Sequence, residues 1–258
     1  MHQLKLRFFT NISHEIRTPL TLILGPLENL LRSVMGDKHI YQQLFLIKGN
    51  ANRLLRLVNQ LLEFRKHETG NTELQVAEGN LVKFVKEIYL AFSQHAEQQK
   101  VNFKFEPQAE KVLVWYDRDK LEKVLFNLLS KAFKFTPEGG TIIMNLHVTS
   151  NDVIVRVKNT GKGIDAAHLP YVFDRFYQIE KTPISGSGIG LALAKNIVGL
   201  HKGNIKVESD GLKNDYTAST TFSFNLPLGH KHFTAKEMIA NFNDSESAIH
   251  YKNSSLKN

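Results

Sequence analysis

Apolar residues recur at steps of three and four along the first quarter of this chain, and that spacing limits the fold more than any other feature. Phe9, Ile12, Ile16, Leu20, Ile23, Leu27, Leu30 and Val34 form a narrow helical seam of the kind that helix bundles bury. Gly36 and Asp37 interrupt it, and Ile40, Leu44, Ile47, Ala51, Leu54, Val58 and Leu61 form a second seam. Two long helices on a short turn make an antiparallel hairpin. A single hairpin lacks the mass to bury both seams. The pattern therefore predicts a homodimer through residues 1–66, with two hairpins closing a four-helix bundle.

The first seam contains residues that burial does not call for. In FFTNISHEIRTPLTLI, His14, Glu15, Arg17 and Pro19 stand inside an otherwise apolar helix. Taken alone, the His-Glu pair reads as a solvent-facing patch on a bundle helix. Pro19 removes a backbone hydrogen bond and predicts a bend there.

The stretch HETGNTELQVAEGN (67–80) is polar, contains two glycines and reads as a linker. Beyond it the periodicity is mixed. Helical patterns run over 80–99 and 117–136, the second with Asp117 as N-cap, and a short strand pattern runs over 111–116. Residues 141–159 alternate as a hairpin that turns at Ser150-Asn151-Asp152. A helix over 187–200 and two strands ending near Pro227 complete an α+β domain over 81–228. From Gly229 aliphatic residues thin out, so 229–258 reads as a flexible tail or a linker to a further domain.

Composition excludes several classes. The chain has no cysteine, which removes disulfide and thiol chemistry and fits a reducing compartment. No stretch reaches the ~18 apolar residues of a membrane span and no signal-peptide core is present, so a soluble piece is expected. The net charge of +8 is scattered and not gathered into one stripe, so no direct nucleic-acid binding is expected.

Two glycine patterns stand in the second half, KNTGKGI (158–164) and SGSGIGLALAKNIV (185–198). Glycines serve ordinary turns, but they also let backbone N–H groups approach phosphate, and the second pattern opens a helix whose N-terminus favours anions. Neither is a P-loop, because no Gly-Lys-Ser/Thr follows, and no parallel βαβ unit makes either a Rossmann fingerprint. The helix at 117–135 has a core face of Leu121, Val124, Leu125, Leu128, Leu129 and Ala132. Lys120, Lys123, Asn127, Lys131 and Lys134 lie on another face, which is either solvated or the cationic wall of a triphosphate site.

These segments fall in the order found in a known family. NLLSKAFKFTPEGG resembles the N box, VKNTGKGI the first glycine box, VFDRFYQ the F box and GSGIGLALAKNIV the second glycine box of sensor histidine kinases. FFTNISHEIRTPLTLI resembles the phosphoacceptor motif of that family, and the likeness extends over residues 4–228. FNLPLGHKHFTAKEM resembles the exit from the kinase core of hybrid two-component sensors, where a receiver domain follows.

The resemblance implies a dimerisation and phosphotransfer hairpin followed by a Bergerat-type (GHKL) ATP-binding domain. His14 would then be the phosphoryl acceptor, Glu15 the carboxylate that raises its nucleophilicity, and Thr18 the residue that positions water against a partner's phosphoaspartate. Asn127, Lys131 and Lys134 would face the phosphates, with Asn127 also a magnesium ligand. Asn159, Gly161, Gly163 and Ile164 would hold the adenine end. Phe173, Arg175 and Phe176 would anchor one end of a lid, and Gly186, Gly188, Gly190 and Leu191 the other. The implied cofactors are ATP and Mg²⁺, and the implied partners are a second copy and the receiver domain of a response regulator. The implied location is the cytoplasmic side of a bacterial inner membrane, below a membrane receptor.

Two positions depart from the family pattern. Lys131 stands where a second Asn of the N box would bind Mg²⁺, and an ammonium has donors only. A divalent ion about 4 Å from it would be repelled by roughly 8 kcal/mol at an effective dielectric of ~20. Asn159 stands where an Asp would accept from the adenine amine, so that bond would lack charge assistance. The sequence thus supports an autophosphorylating kinase, with a nucleotide-binding scaffold or phosphatase of impaired kinase activity as the alternative. A chaperone-type or topoisomerase-type ATPase sharing the pocket is the third reading, and the His-Glu hairpin argues against it.

Overall fold

A computed structural model describes residues 74–179, 188–211 and 217–242, together with helical positions between 19 and 54. The chain divides after Thr72 into two compact units. In the first, positions 19, 21–23, 25–26, 42–44, 46–47, 49–51 and 54 are helical, within the two segments that the seams predict. Pro19 is helical and buried. Leu22, Leu44 and Leu46 are exposed. His14, Glu15, Arg17 and Thr18 lie outside the described residues.

The second unit is built on a five-stranded sheet in the order β2-β4-β5-β7-β6, from β2 (Asn102–Pro107), β4 (Thr141–Val148), β5 (Asp152–Gly161), β6 (Ile205–Ser209) and β7 (Ala218–Pro227). Only the β2–β4 pair is parallel. One face is apolar: Ile142, Met144 and Leu146 on β4, Val153, Val155 and Val157 on β5, and Phe222, Phe224 and Leu226 on β7 are all buried. Residues between them, such as Lys158 and Arg156, look outward, the period-two pattern of a sheet covered on one side. Helices α1 (Leu81–Gln98), α2 (Arg118–Phe135) and α3 (Gly190–Leu200) share one core with that face. The class is α+β, as the sequence predicts.

Helix starts are fixed by the predicted chemistry. Asp117 caps α2 by accepting from the Lys120 N–H at 3.1 Å, and its other oxygen accepts from the Gln75 N–H at 3.0 Å and from Lys120 Nζ at 2.6 Å. Asn80 caps α1, accepting from Val82 N–H at 3.1 Å. His201, just past α3, is fully buried. Its Nε2 accepts from the Asp117 N–H at 3.0 Å while Nδ1 donates to the Ile197 carbonyl at 2.8 Å, which fixes a neutral tautomer tying α3 to the start of α2.

The domain extends beyond the expected 81–228. Part of the stretch expected as a linker is structured: β1 (Ala77–Asn80) pairs antiparallel with β3 (Leu113–Tyr116), and Leu74, Val76 and Ala77 are buried. Part of the expected tail is structured too. Val76 N–H donates to the Glu237 carbonyl at 2.7 Å and Ile239 N–H to the Val76 carbonyl at 2.9 Å. Phe233 buries itself against Leu74 and Val76, and the Phe242 ring lies 5.1 Å from that of Tyr116. Gly79 makes room for it, since a Cβ there would stand 2.6 Å from the Phe242 ring. Residues 228–242 are therefore an arm of the domain, with few aliphatic residues because aromatic anchors and backbone bonds hold it. Residues 67–73 and 243–258 lie outside the described residues.

Replacing Phe233 with Ala should remove about 3 kcal/mol of stability, read as a lower urea midpoint, and an unchanged midpoint would show that the arm does not hold the domain. Burial lowers the pKa of His201, outweighing the raising effects of the Ile197 hydrogen bond and of Asp117. The unfolded chain therefore takes up a proton near pH ~6.5 that the fold resists, so this stability is present above that pH and is lost below it. Between about pH 7.5 and 5.5 the wild type should lose more stability than His201→Gln, and parallel losses would reject this origin.

Candidate functional site

The candidate site begins where the apolar face of the sheet turns polar. Cross-strand pairs run from Val155 opposite Phe224, through Val157 opposite Phe222, to Asn159 opposite Thr220 and Gly161 opposite Ala218. Asn159 and Thr220 are 4% and 6% exposed, so two polar side chains are buried at the end of a hydrophobic ladder. The last pair, Gly161 and Ala218, carries almost no side chain. Asn159 Nδ2 donates to the Thr160 carbonyl at 3.3 Å, and Oδ1 makes no hydrogen bond among the described residues. An acceptor on a polar floor beneath small residues suits the edge of a planar heterocycle.

The loop after β5 is pinned over this floor. Ile164 N–H donates to Ser209 Oγ at 2.9 Å, and Ser209 Oγ lies 3.1 Å from Thr220 Oγ1. Gly163 has φ +78°, and a Cβ there would run into the Gly211 carbonyl and stand 2.8 Å from Ala218 Cβ. A Cβ on Gly161 would strike the Phe135 carbonyl at the end of α2. These glycines are needed for close approach of the chain to its own backbone at Phe135 and Gly211. The sequence analysis does not single out Thr220 or Ser209; the available signal for Thr220 is that it continues the buried parity of Phe222 and Phe224 on β7.

Helix α2 connects the two glycine segments. At one point it meets Gly190, the first residue of α3: a Cβ there would lie 2.6 Å from Asn127 Oδ1. Two turns on, its terminal carbonyl at Phe135 meets Gly161. Lys131 is one turn from Asn127 and one turn from Phe135, on the same side of the helix. It is half-buried, with Nζ 6.0 Å from the centroid of the Phe135 ring, while Lys134 Nζ is 5.4 Å from the same ring. Burial lowers the Lys131 pKa, and the Lys134 charge lowers it further. No carboxylate among the described residues pairs with Lys131. Lys120, counted with the same stripe, instead holds Asp117 in the α2 cap.

The two segments expected to anchor a lid also meet. Phe176 N–H donates to the Gly188 carbonyl at 3.0 Å, and both residues have positive φ, 62° and 70°. Phe173 packs edge-on against Phe222 at 6.1 Å, so it belongs to the core as well as to the anchor. Arg175 is exposed and Leu191 packs against the core. Gly186 and most of the lid between the anchors lie outside the described residues.

These features fit a purine nucleotide. A floor with an acceptor, glycine loops and a helix N-terminus beside a carboxamide and two ammonium groups match its base and its phosphates. They do not fit a resident magnesium ion. Asn127 is the oxygen donor the N box retains, Lys131 is cationic one turn away, and no group of three or more His, Cys, Asp or Glu that could hold a metal occurs among the described residues.

Comparison with known proteins agrees with this architecture. Residues 4–70 match the His Kinase A (phospho-acceptor) domain, and residues 116–230 match the histidine kinase-, DNA gyrase B-, and HSP90-like ATPase domain. The chain belongs to the sensor histidine kinases and carries both domains of their catalytic core in order. It is 43% identical over 98% of its length to Histidine kinase P4 of Formosa agariphila. It is 34% identical over 88% of its length to Hybrid signal transduction histidine kinase D of Dictyostelium discoideum. It spans 18% and 15% of those relatives' lengths. The solved complex of histidine kinase ThkA with the response regulator protein TrrA shares the fold, with a TM-score of 0.68, 24% identity, and coverage of 88% of this chain and 64% of that one. Among the described residues no helix is long and apolar enough to cross a membrane.

Gly190→Ala should displace the Asn127 carboxamide and weaken ATP binding by about tenfold, roughly the worth of one hydrogen bond, while the urea midpoint stays the same or rises slightly because Ala favours a helix. Unchanged affinity by calorimetry would remove Asn127 from the site.

Proposed function

We propose that this chain is the ATP-dependent kinase core of a two-component sensor, which phosphorylates itself on His14 and passes the group to a receiver-domain aspartate. The observation that carries the reading is the pairing of a phosphoacceptor domain containing His14 with a nucleotide-shaped site at the end of one sheet face. The neutral His14 imidazole would attack the γ-phosphorus with its lone pair, forming an N–P bond. The bond to the bridging oxygen breaks, ADP leaves with that electron pair, and the charge on the other ring N–H is shared with Glu15. Asn127, Lys134 and the N-terminus of α3 would hold the phosphates, Asn159 the base, and the Phe173–Phe176 and Gly186–Leu191 anchors would close a lid.

The partner would be a response regulator receiver, by analogy with the ThkA–TrrA complex, either in the same full-length protein as in a hybrid relative or separate. Exposed Leu22, Leu44 and Leu46 support a homodimer, since a single copy leaves them in water. Placement below a membrane receptor remains part of the proposal.

A second reading is favoured by Lys131 and Asn159. Without the metal ligand and the charged acceptor, the domain would bind nucleotide while transferring little phosphoryl, and Thr18 would serve a phosphatase. Incubation with γ-labelled ATP separates the two. Acid-labile, base-stable label that disappears in His14→Gln is expected for the kinase. Label that persists in that variant, or none in the presence of bound nucleotide, sinks it.

A further inference from the structure

Among the described residues the charge on Lys131 has no counter-ion, and its position says where one belongs. It sits between Asn127, which touches the first residue of α3, and Phe135, whose carbonyl touches Gly161. An anion lying between the two glycine segments would run past it. The exposed Phe135 ring flanks its ammonium at 6.0 Å and that of Lys134 at 5.4 Å, so two like charges are gathered on one ring. No carboxylate among the described residues forms an ion pair with Lys131.

We infer that Lys131 takes the place of a divalent cation at the phosphate end of this site, so that the chain binds metal-free nucleoside triphosphate. The inference rests on the nucleotide-binding reading and makes it more specific. An ammonium on a four-carbon stem is a compact charge with three donors, able to bridge neighbouring phosphate oxygens as a bound cation does. It brings its charge without coordination geometry, so it asks nothing further of the donor set. Magnesium already complexed to the triphosphate would have to approach that ammonium.

Titration calorimetry with ATP, in excess magnesium and again in excess chelator, tests this on the wild type, Lys131→Asn and Lys131→Met. Thermal unfolding of each variant confirms that it is folded. The wild type should bind nearly alike in both conditions, whereas Lys131→Asn should lose about tenfold or more on chelation, the worth of one charge-assisted contact. Lys131→Met, with neither charge nor carboxamide, should bind weakly in both. A wild type that loses as much affinity on chelation as Lys131→Asn overturns the inference and leaves the nucleotide site standing. No ATP binding by any form in either condition overturns both.

Discussion

Strand β5 is the constraint on which the rest of the second unit depends. It pairs along its length with β7 and over most of its length with β4, so its register fixes theirs. Its inward residues pass from Val153, Val155 and Val157 to Asn159 and Gly161 without leaving the ladder. A one-residue slip would turn every one of them to the outer face. The same register that packs the valines under the helices thus places the carboxamide and the bare backbone at the strand end. Core and site are one continuous surface, and the stability of the first holds the geometry of the second.

What could be read beforehand follows from how locally each feature is encoded. The helices around Phe84 to Phe92 and Leu121 to Leu129 follow from period alone, and Asp117 was legible as a cap because a capping carboxylate acts within three residues. Strand β2 was not read. It is an edge strand in which Phe103 and Phe105 pack on the core between exposed Asn102, Lys104 and Glu106, so its period-two signal is present but confined to two apolar side chains. Strand β1 and residues 229–242 read in the sequence as linker and tail because their bonding is non-local. Val76 is defined by Glu237 and Ile239, and Gly79 by Phe242. A glycine that makes room for a distant ring looks in sequence like a glycine in a flexible linker.

The site was legible in its motifs and less so in its division of labour. Gly161, Gly163 and Gly188 stand where close approach or positive φ demands them. The lysine stripe could not be subdivided by spacing, since helical period puts Lys120 and Lys131 on the same side. Only the fold separates Lys120, held by Asp117, from Lys131, which has no carboxylate beside it among the described residues. Thr220 was hidden for another reason: a hydroxyl residue in an alternating strand is equally suited to either face until the register is known.

The two departures from the family pattern gain meaning when their charges are considered together. Against the Asp and Asn that the resemblance implies, Asn159 removes one negative charge and Lys131 adds one positive charge, so both changes move the site the same way. On the proposed reading, loss of the carboxylate would weaken the hold on an amine at the base end, where it is exchanged for a neutral carboxamide. Gain of the ammonium would strengthen the hold on phosphate oxygens at the other end and repel a cation there. Such a pair would shift recognition from the base toward the phosphates. Each change taken singly reads as damage to a kinase. Taken together they would leave a site still suited to a polyanion, with its own charge in the place of the metal that the resemblance implies.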